Sequence, residues 1–192
     1  VLWDLSRIYF EKEMLEEAEA HILKILEIDN TNRHAKTLYG EILRKTERLE
    51  KSLEIYNEIE DYRALAEVNQ KLGKIDEAIK LYTKESSIHP EDIFVKQALG
   101  ELLIVRNEFD ETIVLMDSIL EEDPMNLKAR FVFAEALFGA GRNDRAVAEY
   151  KKVLENDPDN PVVNFKLGLL NFQASEFEYA GEFFRKSIEV DN

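Results

Sequence analysis

One pair of residues, a large apolar residue followed by a small one, recurs along this chain at a nearly constant distance. The small members are Ser6, Gly40, Ala66, Gly100, Ala134 and Gly168. Successive members lie 34, 26, 34, 34 and 34 residues apart. Two antiparallel helices approach closely only where one of them carries a small side chain. The recurrence therefore predicts stacked helix pairs, and a content of only seven Gly and four Pro argues against a β-rich fold.

Two further positions keep the same spacing. Twelve residues after each small residue stands a second small one: Ala18, Ser52, Ala78, Thr112, Ala146 and Ala180. Four residues later stands a large apolar one: Ile22, Tyr56, Tyr82, Met116, Tyr150 and Phe184. Four repeats close with a turn signal at one fixed place, Asn30, Pro90, Pro124 and Pro158, and the chain ends at that place on Asn192. The pattern predicts helices over residues 1–12, 15–28, 33–45, 48–59, 61–72, 75–88, 93–106, 109–122, 127–140, 143–156, 161–174 and 177–190.

This pattern resembles the tetratricopeptide repeat family over essentially the whole chain. The best copy, residues 127–160, carries Phe133, Ala134, Leu137, Gly141, Ala146, Tyr150 and Pro158 at the positions that the family marks. The family's usual Trp at the fourth position is absent from every copy. The resemblance implies an all-α, right-handed superhelical solenoid whose first helices line a concave face that binds a peptide or a partner helix. The expected repeats are 1–32, 33–58 (shortened), 59–92, 93–126, 127–160 and 161–192, which together form one solenoid.

The 26-residue step interrupts this regularity between Tyr56 and Tyr62. Glu60-Asp61 is the only plausible turn there, and Asp61 is suited to cap the helix that follows. Without Gly or Pro, a single continuous helix over residues 48–72 is the alternative. Either arrangement predicts a local change in the angle between repeats near residues 58–62.

The resemblance places the second, fifth, ninth and twelfth residues of each repeat on the concave face. In the first two repeats these positions include Trp3, Arg7, Phe10, His34, Thr37 and Glu41. The residues expected to bind a partner are Glu67, Phe94, Gln97, Glu101, Lys128, Phe131, Glu135, Phe138, Phe165, Leu169 and Phe172. Exposed aromatic residues mark binding surfaces. The alternatives are that these rings pack within the solenoid, or that a helix following Asn192 covers them.

Acidic residues occupy the ninth position in four consecutive repeats: Glu41, Glu67, Glu101 and Glu135. This acidic ladder would repel a carboxylate and indicates a basic stretch in the partner. The expected partner is therefore a protein or peptide with basic and apolar residues. The net charge of −15 argues against nucleic acid, which requires a basic footprint, and against a helical-repeat RNA binder in particular.

No residue pattern indicates catalysis, a cofactor or a metal. His21, His34 and His89 are far apart in the repeat, and no phosphate-binding loop or nucleophile motif is present. The absence of cysteine excludes disulfides without assigning a compartment. No apolar stretch approaches the length of a membrane span. Two functions remain: a protein-binding scaffold, or the recognition arm of a larger enzyme or signalling protein.

The last predicted helix carries Phe177, Phe183, Phe184 and Ile188. Terminal repeats of a solenoid normally present a polar outer face. Because the chain starts at Val1 and stops where another repeat would begin, we expect it to be a fragment of a longer protein that continues with a further helix. In the fragment, these rings predict self-association through the last helix, with Phe183 or Phe184 as the outward residue.

Overall fold

The computed structural model describes residues 1–189, which form two compact units. The N-terminal unit spans Val1–Pro90, and the C-terminal unit begins at Glu91. Both units consist of α-helices joined by short turns, and no strand occurs within the described residues. The chain is therefore an all-α helical repeat.

Each unit contains six helices in its described part. Those of the N-terminal unit are α1 (Leu2–Glu11), α2 (Leu15–Ile28), α3 (Arg33–Lys45), α4 (Leu49–Glu58), α5 (Tyr62–Lys71) and α6 (Ile75–Ile88). Those of the C-terminal unit are α7 (Ile93–Val105), α8 (Phe109–Glu122), α9 (Leu127–Gly139), α10 (Asn143–Leu154), α11 (Pro161–Gln173) and α12 (Phe177–Glu189). The predicted boundaries agree to within two residues. The predicted end of α12 at residue 190 and the closing Asn192 lie outside the described residues.

Close contact between the paired helices depends on the small residues that define the repeat. A Cβ at Gly40 in α3 would lie 2.6 Å from the Tyr56 ring of α4. In the C-terminal unit, a Cβ at Gly100 would lie 2.7 Å from Met116 Cε, and one at Gly168 would lie 2.5 Å from the Phe184 ring. In these three pairs the large residue of the second helix therefore lies on the small residue of the first helix, as the spacing predicts.

Asparagine or aspartate caps the first helix of every repeat after the first. Each side chain accepts a hydrogen bond from the backbone N–H three residues later, and the capping residues are Asn32, Asp61, Asp92, Asn126 and Asn160. Because Asp61 caps α5 in this way, the 26-residue step contains a turn, and the continuous-helix alternative is wrong.

The shortened step removes residues from three places. Helix α4 has 10 residues where α2 has 14, α5 has 10 where α3 has 13, and the turn between α4 and α5 is one residue shorter than that between α2 and α3. The backbone reverses at Glu60, which has a φ of 51°. The N–H groups of Glu60 and Asp61 donate to the carbonyls of Asn57 and Tyr56. The associated change in repeat angle stays a prediction.

The same left-handed conformation ends the first helix of every repeat. The residues with positive φ at these turns are Glu13, Glu47, Gly73, Asn107, Gly141 and Ser175. A left-handed residue lets the backbone N–H groups after the helix bond to its last carbonyls. Only glycine adopts it without steric cost, so the Glu and Ser positions carry strain.

We predict that Gly40→Ala destabilises the protein by about 1–3 kcal/mol, because the rigid Tyr56 ring cannot yield to the added methyl group. Gly100→Ala should be nearly neutral, since Met116 is flexible and alanine gains about 1 kcal/mol of helix propensity over glycine. Urea unfolding measures both free energies. In a Tyr56→Met background the cost of Gly40→Ala should fall; an unchanged cost would show that the ring contact is not its cause.

We predict that Glu60→Gly stabilises the protein by about 0.5–1 kcal/mol, because relief of the left-handed conformation outweighs the extra chain entropy of glycine. Gly141→Ala, at a left-handed turn of the other unit with φ of 72°, is the matched reverse change and should destabilise by a similar amount. Thermal unfolding of the two variants checks both signs. A loss of stability in Glu60→Gly would contradict the strain argument.

Candidate functional site

The first helices of the C-terminal unit, α7, α9 and α11, are linked by polar contacts into one surface. Glu101 pairs with Lys128 at 3.0 Å, which joins α7 to α9. Glu135 pairs with Lys166 at 2.6 Å, which joins α9 to α11. Glu101 and Lys128 therefore meet between α7 and α9, whereas their place on a partner-binding face stays a prediction. We call this the first-helix surface.

The residues predicted to bind a partner differ in accessibility on this surface. Phe94, Phe165 and Phe172 are exposed, whereas Phe131, Phe138 and Leu169 are half-buried. Gln97 is only 8% exposed, and its amide donates a 2.8 Å hydrogen bond to Asn126 Oδ1 at the start of α9. Gln97 therefore links two repeats and offers little surface to a partner.

Helix α11 presents the most apolar part of the surface. Val162, Phe165, Leu169 and Phe172 occupy its second, fifth, ninth and twelfth positions without a charged residue among them. Phe165 is 46% exposed and Phe172 is 56% exposed. We call these four residues the α11 stripe.

The rings of the α11 stripe also contact helix α12. The centroids of Phe165 and Phe184 are 5.8 Å apart, and those of Phe172 and Phe177 are 5.5 Å apart. Part of each ring is thus covered by packing against α12, as one of the alternatives from the sequence predicted. About half of each ring nevertheless remains exposed. Neither of the two rings predicted to point outward is exposed, because Phe183 packs against the core of the unit and Phe184 lies over Gly168. The exposed large apolar residues of α12 are Phe177, Tyr179 and Ile188.

Helix α9 contributes rings that are partly committed to internal contacts. Phe131 meets the Tyr150 ring edge-on with centroids 6.4 Å apart. The ammonium group of Lys166 lies 5.2 Å from the centroid of the Phe138 ring. These contacts leave α9 less apolar toward solvent than α11.

The carboxylates of the acidic ladder are paired within the protein. In the C-terminal unit, Glu101 pairs with Lys128, and Glu135 accepts hydrogen bonds from Lys166 and from the Tyr150 hydroxyl. Burial raises the pKa of Tyr150, and its hydrogen bond to Glu135 raises it further. Tyr150 therefore stays protonated and remains a donor.

The ladder of the N-terminal unit is paired in the same way. Glu41 receives two hydrogen bonds from Arg44, at 3.0 and 2.6 Å, and one from the Tyr56 hydroxyl at 3.3 Å. Arg44 also lies 3.4 Å from Glu67, which contacts Arg63 at the same distance. The hydrogen bonds to Glu41 raise the pKa of Arg44. All four ladder positions thus carry less free negative charge than the sequence indicates.

A cleft of about 450 Å³ lies between α1 and α3 in the N-terminal unit. Its lining residues are Trp3, Arg7, Phe10, Glu11, His34, Thr37, Leu38 and Glu41. Sequence reasoning placed most of these residues on the concave side, but it did not select them as a binding site. Their repeat positions could have identified these residues as candidates. The sequence pattern does not show, however, that a cleft forms between the two helices.

Other classes of site are not found in the described part of the chain. Within residues 1–189, no group of three or more His, Asp or Glu side chains is arranged to hold a metal ion. Over the same residues, no helix has the length and apolar character that crossing a bilayer requires.

Comparison with known proteins identifies the family. Two tetratricopeptide repeat profiles match, one over residues 1–32 and the other over residues 103–167. No curated protein matches the chain. The chain is a member of the tetratricopeptide repeat family.

Several solved structures share the fold. A tetratricopeptide repeat protein from Parabacteroides merdae ATCC 43184 is 19% identical with a TM-score of 0.81, covering 96% of this chain and 77% of that one. YrrB, described as a TPR protein with an unusual peptide-binding site, is 20% identical with a TM-score of 0.77, covering 88% and 91%. MamA MSR-1 is 23% identical with a TM-score of 0.71, covering 83% and 96%.

We predict that the internal ion pairs shield the ladder from basic ligands. The double variant Lys128→Gln/Lys166→Gln should bind a fluorescent oligolysine about tenfold more tightly than the unmodified chain at low salt. The gain should disappear at high salt because the exposed charges are screened. Fluorescence anisotropy measures the two affinities.

Lys151→Gln/Lys186→Gln is the control, because it makes the same change in net charge on the second helices α10 and α12. This control should bind oligolysine more weakly than the test variant does. Equal binding by the unmodified chain and the test variant would show that the ladder is already open to a basic partner.

Proposed function

We propose that this protein is a binding scaffold without catalytic chemistry of its own, and that the α11 stripe holds an apolar helix of a partner protein. The observation that carries the proposal is the stripe itself, four apolar residues on a first helix with half of two Phe rings still exposed. Exposed apolar surface of this kind is typical of protein-binding sites.

The spacing of the stripe favours a helical occupant. Its members are separated by three, four and three residues, the a/d spacing by which one helix packs along another. Covering the exposed half of a Phe side chain contributes about 1 kcal/mol, since full burial of such a side chain is worth about 1.5–3 kcal/mol. A partner helix with its own apolar stripe would cover several such residues together.

The chemistry of the partner follows from which contacts remain available. The sequence favoured a partner with both basic and apolar residues, but the ladder carboxylates are paired internally. The apolar contacts therefore carry the proposal. The peptide-binding site attributed to YrrB supports a peptide or helix as ligand, since the two chains share a fold. A recognition arm of a larger enzyme or signalling protein would use the same surface.

A second copy of the chain is a second candidate occupant. Phe177, Tyr179 and Ile188 are exposed on α12, next to the stripe. These residues, rather than Phe183 or Phe184, would mediate self-association. Sedimentation analysis of the isolated chain over a range of concentrations tests this candidate, because only self-association raises the sedimenting mass with concentration when no partner is present.

We predict that peptides selected for binding from a helical display library carry apolar residues at a/d spacing. Phe172→Ser should weaken their binding by about tenfold or more, because it removes an exposed anchor of the stripe. Isothermal titration measures the affinities, and circular dichroism confirms that the variant is folded.

Val114→Ser is the matched control. Val114 is an exposed apolar residue of the same unit, 71% accessible, but it lies on the second helix α8. Its replacement should leave affinity unchanged. Equal binding by both variants, or selected peptides without apolar periodicity, would contradict the proposal.

A further inference from the structure

The cleft of the N-terminal unit has aromatic walls. Trp3 and His34 lie at one end with ring centroids 6.3 Å apart. Phe10 and Leu38 contribute apolar surface, and both also pack against the core of the unit. Because packing against the core holds these side chains in place, the cleft is formed before any ligand binds. Its volume of about 450 Å³ falls within the range of pockets that enclose small ligands.

The charged residues of the cleft are already paired with opposite charges. Arg7 lies 3.5 Å from Glu11, and Glu41 is held by Arg44 at 2.6 Å. A charged ligand would therefore find no unpaired opposite charge in the cleft to offset the loss of its hydration against the aromatic walls. A neutral apolar group would displace only water. The charge balance of the cleft therefore favours an uncharged occupant.

Two polar groups of the cleft remain available, the Trp3 indole and the His34 imidazole. Within residues 1–189 the indole N–H of Trp3 donates no hydrogen bond, and the His34 ring makes no hydrogen bond or ion pair and contacts the Trp3 ring. An indole N–H is a donor only, so it suits a carbonyl oxygen. The backbone carbonyl beside an inserted side chain of a peptide would supply such an acceptor.

We propose that this cleft binds one large uncharged apolar side chain of a partner peptide, of the Phe or Leu class, with Trp3 donating to the adjacent backbone carbonyl. The inference rests on the proposed function in that a protein partner carries the anchor. It adds a second site, in the other unit, with a different requirement: one inserted side chain rather than a helical stripe.

Trp3 makes the test selective because it is the chain's only tryptophan. The probes are the capped tripeptides acetyl-Gly-Phe-Gly-amide and acetyl-Gly-Leu-Gly-amide, with Lys and Glu versions for comparison. The single indole cross-peak in a ¹⁵N correlation spectrum of the full chain reports occupancy. The Phe and Leu probes should shift this peak saturably, whereas the Lys and Glu probes should not.

Thr37→Arg tests whether the probes enter the cleft. Thr37 lines the cleft with an exposed side chain, so the substitution adds bulk and charge without disturbing the core. The substitution should lower the affinity for the Phe probe by about tenfold or more. Thr83→Arg makes the same change at an exposed position of α6 outside the cleft and should leave binding unchanged.

Three outcomes would overturn the inference: no saturable shift with the Phe and Leu probes, stronger binding of the Lys or Glu probe, or equal effects of Thr37→Arg and Thr83→Arg. These outcomes are separable from failure of the proposed function. A loss of peptide affinity in the Phe172→Ser variant reports binding through the α11 stripe, which lies in the other unit. The shift of the Trp3 peak reports binding in the cleft alone.

Discussion

The contact between a small residue on each first helix and a large residue on its second helix underlies the structure. At Gly40, Gly100 and Gly168 the facing side chain occupies the space that a Cβ would need. The helices can therefore approach closely, and the large side chain is buried or half-buried between them. This contact fixes the separation of 16 residues between the small and the large residue of each pair, which stays constant even where the step between repeats shortens from 34 to 26 residues.

Residues beside the same contact carry the differences between repeats. The second, fifth, ninth and twelfth positions of the first helices include residues that touch the large residue of the second helix: Phe131 meets Tyr150, Phe165 meets Phe184, and Glu41 accepts a hydrogen bond from Tyr56. The side chains at these positions differ from repeat to repeat, while the small and large residues keep their spacing. In α11 these positions are all apolar, whereas in α9 they alternate between charged residues and Phe. The two helices therefore share a fold and differ in what they can bind.

Pairing of charges within each unit shapes the chemistry of its surface. The chain carries a net charge of −15, yet Glu41, Glu67, Glu101 and Glu135 each have a basic partner. Ion pairs at partly exposed positions contribute little to stability. Their effect on recognition is larger, since they neutralise the positions that would otherwise select a basic ligand.

The sequence by itself determined the helices, their pairing and the family, because these depend on local signals: the small residues, the spacing and capping residues such as Asp61. Tertiary structure decided which candidate site residues are accessible. Glu101 and Glu135 are neutralised by Lys128 and Lys166, 27 and 31 residues away, and the cleft beside Trp3 lies between two helices of different repeats. Repeat position indicates the side of a helix on which a residue lies. The residues that it contacts on neighbouring helices depend on how those helices pack, and a local sequence pattern does not predict that packing.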